Sequence, residues 1–104
     1  MEMKELTKRI KKELLRIEPE AEIYLFGSRA RGDFKSDSDW DVMVLSPQKQ
    51  ITYDYELKLR EPIFDIELET GEIISLLIYS KTDWKNKKNI SLLFHQVSKE
   101  GLKI

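Results

Sequence analysis

The stretch LFGSRARGDFKSDSDWDVMVL, Leu25 to Leu45, restricts the fold of this chain more than any other segment. A short apolar run ends at Gly27, a polar segment follows from Arg29 to Ser38, and a second apolar run opens with Asp39 and Asp41, one residue apart. Two β-rich runs separated by turn-forming residues predict strand, connection, strand. Side chains i and i+2 of a strand project to the same side, so Asp39 and Asp41 share one face while Trp40 and Val42 take the other. Carboxylates held side by side repel one another, and desolvating either costs on the order of several kcal/mol unless a cation lies between them. The bland alternative is an Asp-rich turn in which Asp39 caps and Asp41 bonds locally.

The remaining elements follow from periodicity. Met3, Leu6, Ile10, Leu14 and Ile17 recur at helical spacing, with Lys4, Lys8, Lys11, Lys12 and Arg16 on the other faces, which predicts an amphipathic first helix. Pro19 stops it, and EIYLF (Glu22 to Phe26) forms the strand that Gly27 ends. WDVMVL is the second strand, closed by Pro47. Residues 51–70 carry Tyr55, Leu59, Ile63, Ile66 and Phe64 in a helical pattern that Pro62 is expected to kink or break and Gly71 to stop. EIISLLIY (Glu72 to Tyr79) is a third strand, and Ile90, Leu93, Phe94 and Val97 predict a last helix ending near Gly101. The order αβ(turn)βαβα, without repeats and with at most a short linker at Lys85 to Asn89, predicts an α/β (α+β) domain: a small mixed sheet flanked by helices, spanning residues 1–104.

Composition narrows the partners. Apolar residues make up 40% of the 104, enough for one core, and the 36% charged residues nearly cancel to a net charge of −1. Nothing in that balance favours nucleic acid or an anionic membrane, so any anion site is local. The absence of cysteine excludes thiolate metal sites and fits a reducing compartment. The N-terminal segment is basic but interrupted by Glu2, Glu5 and Glu13, and it reads as neither signal peptide nor membrane span. A cytoplasmic protein without membrane association is expected.

For two carboxylates on one strand, Mg²⁺ is the natural cation: it prefers hard oxygens, keeps several waters, and is commonly held by one or two carboxylates together with nucleotide phosphates. Gly27 and Ser28 offer a phosphate holder, since glycine admits close backbone approach and serine adds a hydroxyl donor. Arg29 and Arg31 are cationic donors nearby, or else ordinary surface charges. Asp33, Asp37 and Ser38 read as turn residues and Trp40 as core. Trp84 follows a candidate helix cap among Ser80, Thr82 and Asp83 and packs a helix start on the sheet. His95 has no second histidine to act with, and WKNKKN (Trp84 to Asn89) reads as a solvated surface.

Gly27 and Ser28, a ten-residue spacer from Arg29 to Ser38, then Asp39, Trp40 and Asp41 resemble the signature of the polymerase-β-like nucleotidyltransferases. The short chain is similar to the minimal nucleotidyltransferases (MNT proteins), in particular the antitoxins that pair with helical HEPN toxins. The resemblance implies the polymerase-β-like fold, phosphate binding by Gly27 and Ser28, Mg²⁺ coordination by Asp39 and Asp41, and ATP as co-substrate. The implied reaction is attack of an acceptor hydroxyl, expected on a HEPN-type partner protein, at the α-phosphate, with release of pyrophosphate. Family members carry a third carboxylate on the next core strand, and the aligned residue here is Ser75, a poor replacement for a metal ligand or base. Of the nearby carboxylates Glu72, Asp65, Glu67 and Glu69, each reads first as a solvated surface group, and Glu72, at the start of the strand, is the least implausible substitute. The alternative function is therefore a catalytically impaired binding module that masks its partner.

Overall fold

The computed structural model describes residues 3–86 and 92–104. Its first element, α1 (Met3–Ile17), buries Leu6, Ile10 and Leu14 along one stripe and leaves its lysines in solvent. Strand β1 (Glu22–Phe26) leads into a one-turn helix α2 (Ser28–Arg31), and β2 (Trp40–Ser46) returns antiparallel to β1. Helix α3 (Tyr53–Thr70) is followed by β3 (Ile74–Ser80), α4 (Lys81–Asn86), α5 (Leu92–Glu100) and a two-residue strand β4 (Leu102–Lys103). The sheet order is β3-β2-β1-β4, with β3 parallel to β2 and the other pairs antiparallel, a mixed sheet as expected. Among the described residues, no helix is long and apolar enough to cross a membrane.

Strand parity divides the core in two. Leu25, Trp40, Val42, Val44, Ile74 and Leu76 face α1 and α3, where they meet Leu14, Leu59, Ile63 and Ile66 in the larger cluster. Phe26, Met43 and Leu45 face the other way, against Val97 of α5 and the half-buried Leu93 and Trp84. Asp41 shares the parity of Met43, so it lies on the thinly covered face.

Several sequence expectations are corrected. The connection after Ser28 is not irregular throughout, because Ala30 and Arg31 donate to the Gly27 carbonyl (3.1 and 3.0 Å) and wind α2. Pro62 lies inside an unbroken 18-residue helix, where buried Leu59 before it and Ile63 and Ile66 after it hold both halves to one core. Thr52 caps that helix by accepting from Tyr55 N–H, and Gly71 ends it. Strand β3 begins at Ile74 rather than Glu72: the Ile73 carbonyl accepts from Trp40 N–H at 2.8 Å, and Ile74 N–H is taken by the Glu67 carboxylate at 3.0 Å. Ser80 does cap α4, accepting from Asp83 N–H at 3.0 Å. Ile90 and residues 87–89 of the suggested linker lie outside the described residues, and β4, too short to show periodicity, was not foreseen.

Candidate active site

The site is built on the point where β1 becomes α2. Gly27 has φ 74° and ψ −158°, a backbone region that only glycine occupies without strain. A Cβ there would also collide with Asp41 Oδ2, so the glycine both turns the chain and makes room for that carboxylate. Ser28 opens α2, half-buried, at a helix start whose first N–H groups have no intrahelical acceptor.

Asp41 stands opposite Phe26 of β1 on one side and Ser75 of β3 on the other. Asp39 precedes the strand proper and is exposed. Burial pushes the Asp41 carboxyl above the ordinary aspartate range, the neighbouring negative charge of Asp39 pushes it further, and Arg31 partly offsets both. The two carboxylates are thus electrostatically close, in a place where ionising both is unfavourable. Ser75, the residue aligned with the family's third carboxylate, falls directly beside Asp41 in the parallel register. Its side chain shares Asp41's face, at a strand spacing of about 4.8 Å.

The two arginines diverge. Arg31 is partly exposed and holds Asp33 through Nε (3.2 Å) and Glu100 of α5 through Nη1 (3.0 Å). Arg29 turns inward and is only 5% exposed. Its Nη2 donates to the carbonyls of Ser38 (3.0 Å) and Ser36 (3.5 Å), and its guanidinium lies over the rings of Phe34 (4.5 Å) and Trp40 (4.4 Å). Glu72 pairs with it at 3.6 Å and also accepts from Trp40 Nε1 at 3.0 Å. Glu72 therefore belongs to the Trp40 side of the sheet, opposite Asp41, and is not a third carboxylate for the pair. No sequence signal announced this clasp, because its members meet only in the folded sheet. His95 is exposed on α5, and Trp84 packs between Tyr79 and Phe94.

The donor set suits Mg²⁺. Two carboxylates supply hard oxygens, their mutual repulsion would be relieved by a cation, and the remaining positions of an octahedral ion are those that water and phosphate usually fill. Among the described residues no cluster of three or more His, Cys, Asp or Glu side chains that could hold a metal ion occurs. Cavities of about 430 and 450 Å³ lie along α3, lined by Lys58 and Pro62 and by Leu57 and Phe64 respectively, with no residue of the Gly27–Asp41 stretch on their walls.

Comparison with known proteins points the same way. The family model described as "Nucleotidyltransferase domain" matches residues 7–95. Two proteins of Methanocaldococcus jannaschii, provisionally named protein adenylyltransferases, are similar in sequence. One is 34% identical over 80 residues, covering 76% of this chain and 72% of the relative. The other is 35% identical over 88 residues, covering 79% and 84%. Among solved structures, a toxin–antitoxin crystallised with AMP-PNP superposes with a TM-score of 0.64 at 23% identity, covering 92% of this chain and 69% of that one, a likeness of fold.

Proposed function

The chain belongs to the nucleotidyltransferase domain family and is a nucleotidyltransferase, and from that premise we propose that it transfers AMP from ATP to a hydroxyl of a partner protein, acting as the antitoxin of a HEPN-type toxin. The observation that carries the reading is the Asp39/Asp41 pair beside the Gly27 turn, with the Asp41 carboxyl held above its ordinary range. Asp39 and Asp41 would hold Mg²⁺. When bound, the ion would neutralise triphosphate charge and stabilise the attacking and leaving oxygens. The Gly27 backbone and the Ser28 hydroxyl would seat the phosphates, and Arg31, released from Asp33 and Glu100, would add a cationic donor. The acceptor oxygen bonds to the α-phosphorus as the bond to pyrophosphate breaks. Orientation and charge complementarity supply most of the acceleration.

The names of the sequence relatives support a protein acceptor, and the toxin–antitoxin fold neighbour, crystallised with a nucleotide analogue, supports both ATP and a protein partner. The cysteine-free chain fits a cytoplasmic setting. The test is label transfer from ATP carrying a labelled α-phosphate, with Mg²⁺, in lysate of the source cell. A labelled band should appear with wild type and fall at least about a hundredfold with Asp39→Ala/Asp41→Ala. Equal labelling by both proteins would refute the assignment. Ser75 beside Asp41 favours one other reading, a weakened enzyme that neutralises its partner by masking it. In that case toxin neutralisation in cells survives the double substitution.

A further inference from the structure

Arg29 follows Ser28 directly and carries a permanent charge, yet it faces away from solvent. Its guanidinium holds the carbonyl of Ser38, the residue immediately before Asp39, and stacks on Trp40, the residue between the two aspartates. We infer that Arg29 is a positioning residue for nucleotidyl transfer: it fixes the approach to Asp39 relative to the Gly27–Ser28 turn and does not itself touch the nucleotide. The inference rests on the function proposed above and deepens it.

The loop over residues 33–38 is largely exposed, and its internal bonds, Ser38 N–H to the Lys35 carbonyl (3.1 Å) and Lys35 N–H to Ser38 Oγ (2.8 Å), close a turn without tying it to the domain. Arg29 ties it from the buried side, and the exposed Arg31–Asp33 pair holds its start. Arg29 reaches from α2 to the loop, contacts backbone at Ser36 and Ser38, and lies over the rings of Phe34 and Trp40. Glu72 completes the clasp by balancing the charge and holding the Trp40 indole N–H. A buried charge is a costly way to fill space, and Arg29 Nε is left without a hydrogen-bond partner. A packed apolar side chain would cost less. A flat cation, however, can bond the two carbonyl oxygens through Nη2 while its guanidinium lies over the Phe34 and Trp40 rings. Lysine, a compact point charge with no flat face, cannot lie over the two rings in this way. Arg29 Nη2 is committed to the loop and the side chain, the unpartnered Nε included, is buried, so the guanidinium is not presented to a phosphate.

The test compares wild type with Arg29→Lys and, as a milder change that keeps the Trp40 bond, Glu72→Gln. For Arg29→Lys, kcat at fixed Mg²⁺ should fall about 10- to 100-fold, the Mg²⁺ concentration for half-maximal rate should rise several-fold, and added Mg²⁺ should recover part of the rate. The ATP dissociation constant should stay within about twofold, because a positioning residue acts on geometry rather than on nucleotide contact. Amide hydrogen exchange should quicken across residues 33–40 and remain unchanged in α1 and α3. Glu72→Gln should move every readout the same way by less. ATP affinity falling in parallel with the rate, with loop exchange unchanged, would make Arg29 a direct phosphate ligand and overturn the inference. Exchange quickening throughout the domain, with no shift in the Mg²⁺ requirement, would reduce Arg29 to a fold-stabilising residue and also overturn it. The two readings fail separately: a wild-type protein that transfers nothing removes the proposed reaction, whereas normal transfer by both wild type and Arg29→Lys removes only the role of Arg29.

Discussion

The surroundings of Asp41 disfavour the charged form of its carboxyl. Burial raises its carboxyl first, Asp39 adds to the shift, and Arg31 offsets only part of it. An acid whose folded-state pKa is raised binds its proton more tightly in the native than in the unfolded chain. Stability is then unaffected below the unfolded value, declines as pH rises through the raised folded value, and stays reduced above it. Asp41→Asn should accordingly raise the denaturation midpoint at neutral pH, and the gain should vanish under acid conditions where both forms of aspartate are protonated. Saturating Mg²⁺ should narrow the gap by stabilising wild type alone. Urea titrations at several pH values, with and without Mg²⁺, measure this directly. An Asp41→Asn protein less stable than wild type at neutral pH would mean that the carboxylate earns its place through local hydrogen bonds, as in an Asp-rich turn. The same residue explains Gly27, since the collision that a Cβ would suffer is with Asp41 Oδ2.

The elements decide which other residues can join that pair. Parallel pairing of β2 with β3 sets Asp41 against Ser75, so a carboxylate introduced at Ser75 would stand beside Asp41, where the proposed reaction needs a cation. Ser75→Asp should raise the transfer rate by about tenfold or more, in the lower range of general-base and ligand effects. Without metal it should lower stability, because a third negative charge joins two that already repel. Unchanged rate and unchanged Mg²⁺ dependence in a label-transfer assay would remove Ser75 from the account. Gly27, Ser28, Asp39 and Asp41 could be read as one group from sequence because they lie in a single stretch with the family's spacing, parity speaking only to the two aspartates. Ser75 could be aligned only through the family resemblance. The inward turn of Arg29 was not legible at all, since Glu72 and Trp40 reach it through the register of β2 and β3. The six predicted elements were legible because each carries its own period, as in Leu6, Ile10 and Leu14 of α1. α2 and β4 were not, spanning little more than a single repeat of the pattern that would reveal them.

For the whole molecule, the two faces of the sheet are unequally held. On one side α1 contributes Leu6, Ile10 and Leu14, and α3 contributes Leu59, Ile63 and Ile66, all buried against the strands. On the side that carries Asp41, α5 contributes Val97 alone as a fully buried side chain, with Leu93 half-buried, and Glu100 reaches across to Arg31. Apolar burial is the main favourable contribution to folding, so α5 should open at lower free energy than the domain unfolds. Native-state hydrogen exchange should then show α5 amides opening with little dependence on denaturant, while α1, α3 and the centre of β2 exchange only on global unfolding. Leu14→Ala should lower the global free energy by about 2–5 kcal/mol and weaken protection everywhere. Val97→Ala should quicken exchange in α5 and leave α1 nearly untouched. If Val97→Ala instead weakened α1 and α5 equally, the domain would be a single cooperative unit. The pair of aspartates would then sit on a face as rigid as the main core, rather than beneath a helix that opens independently of it.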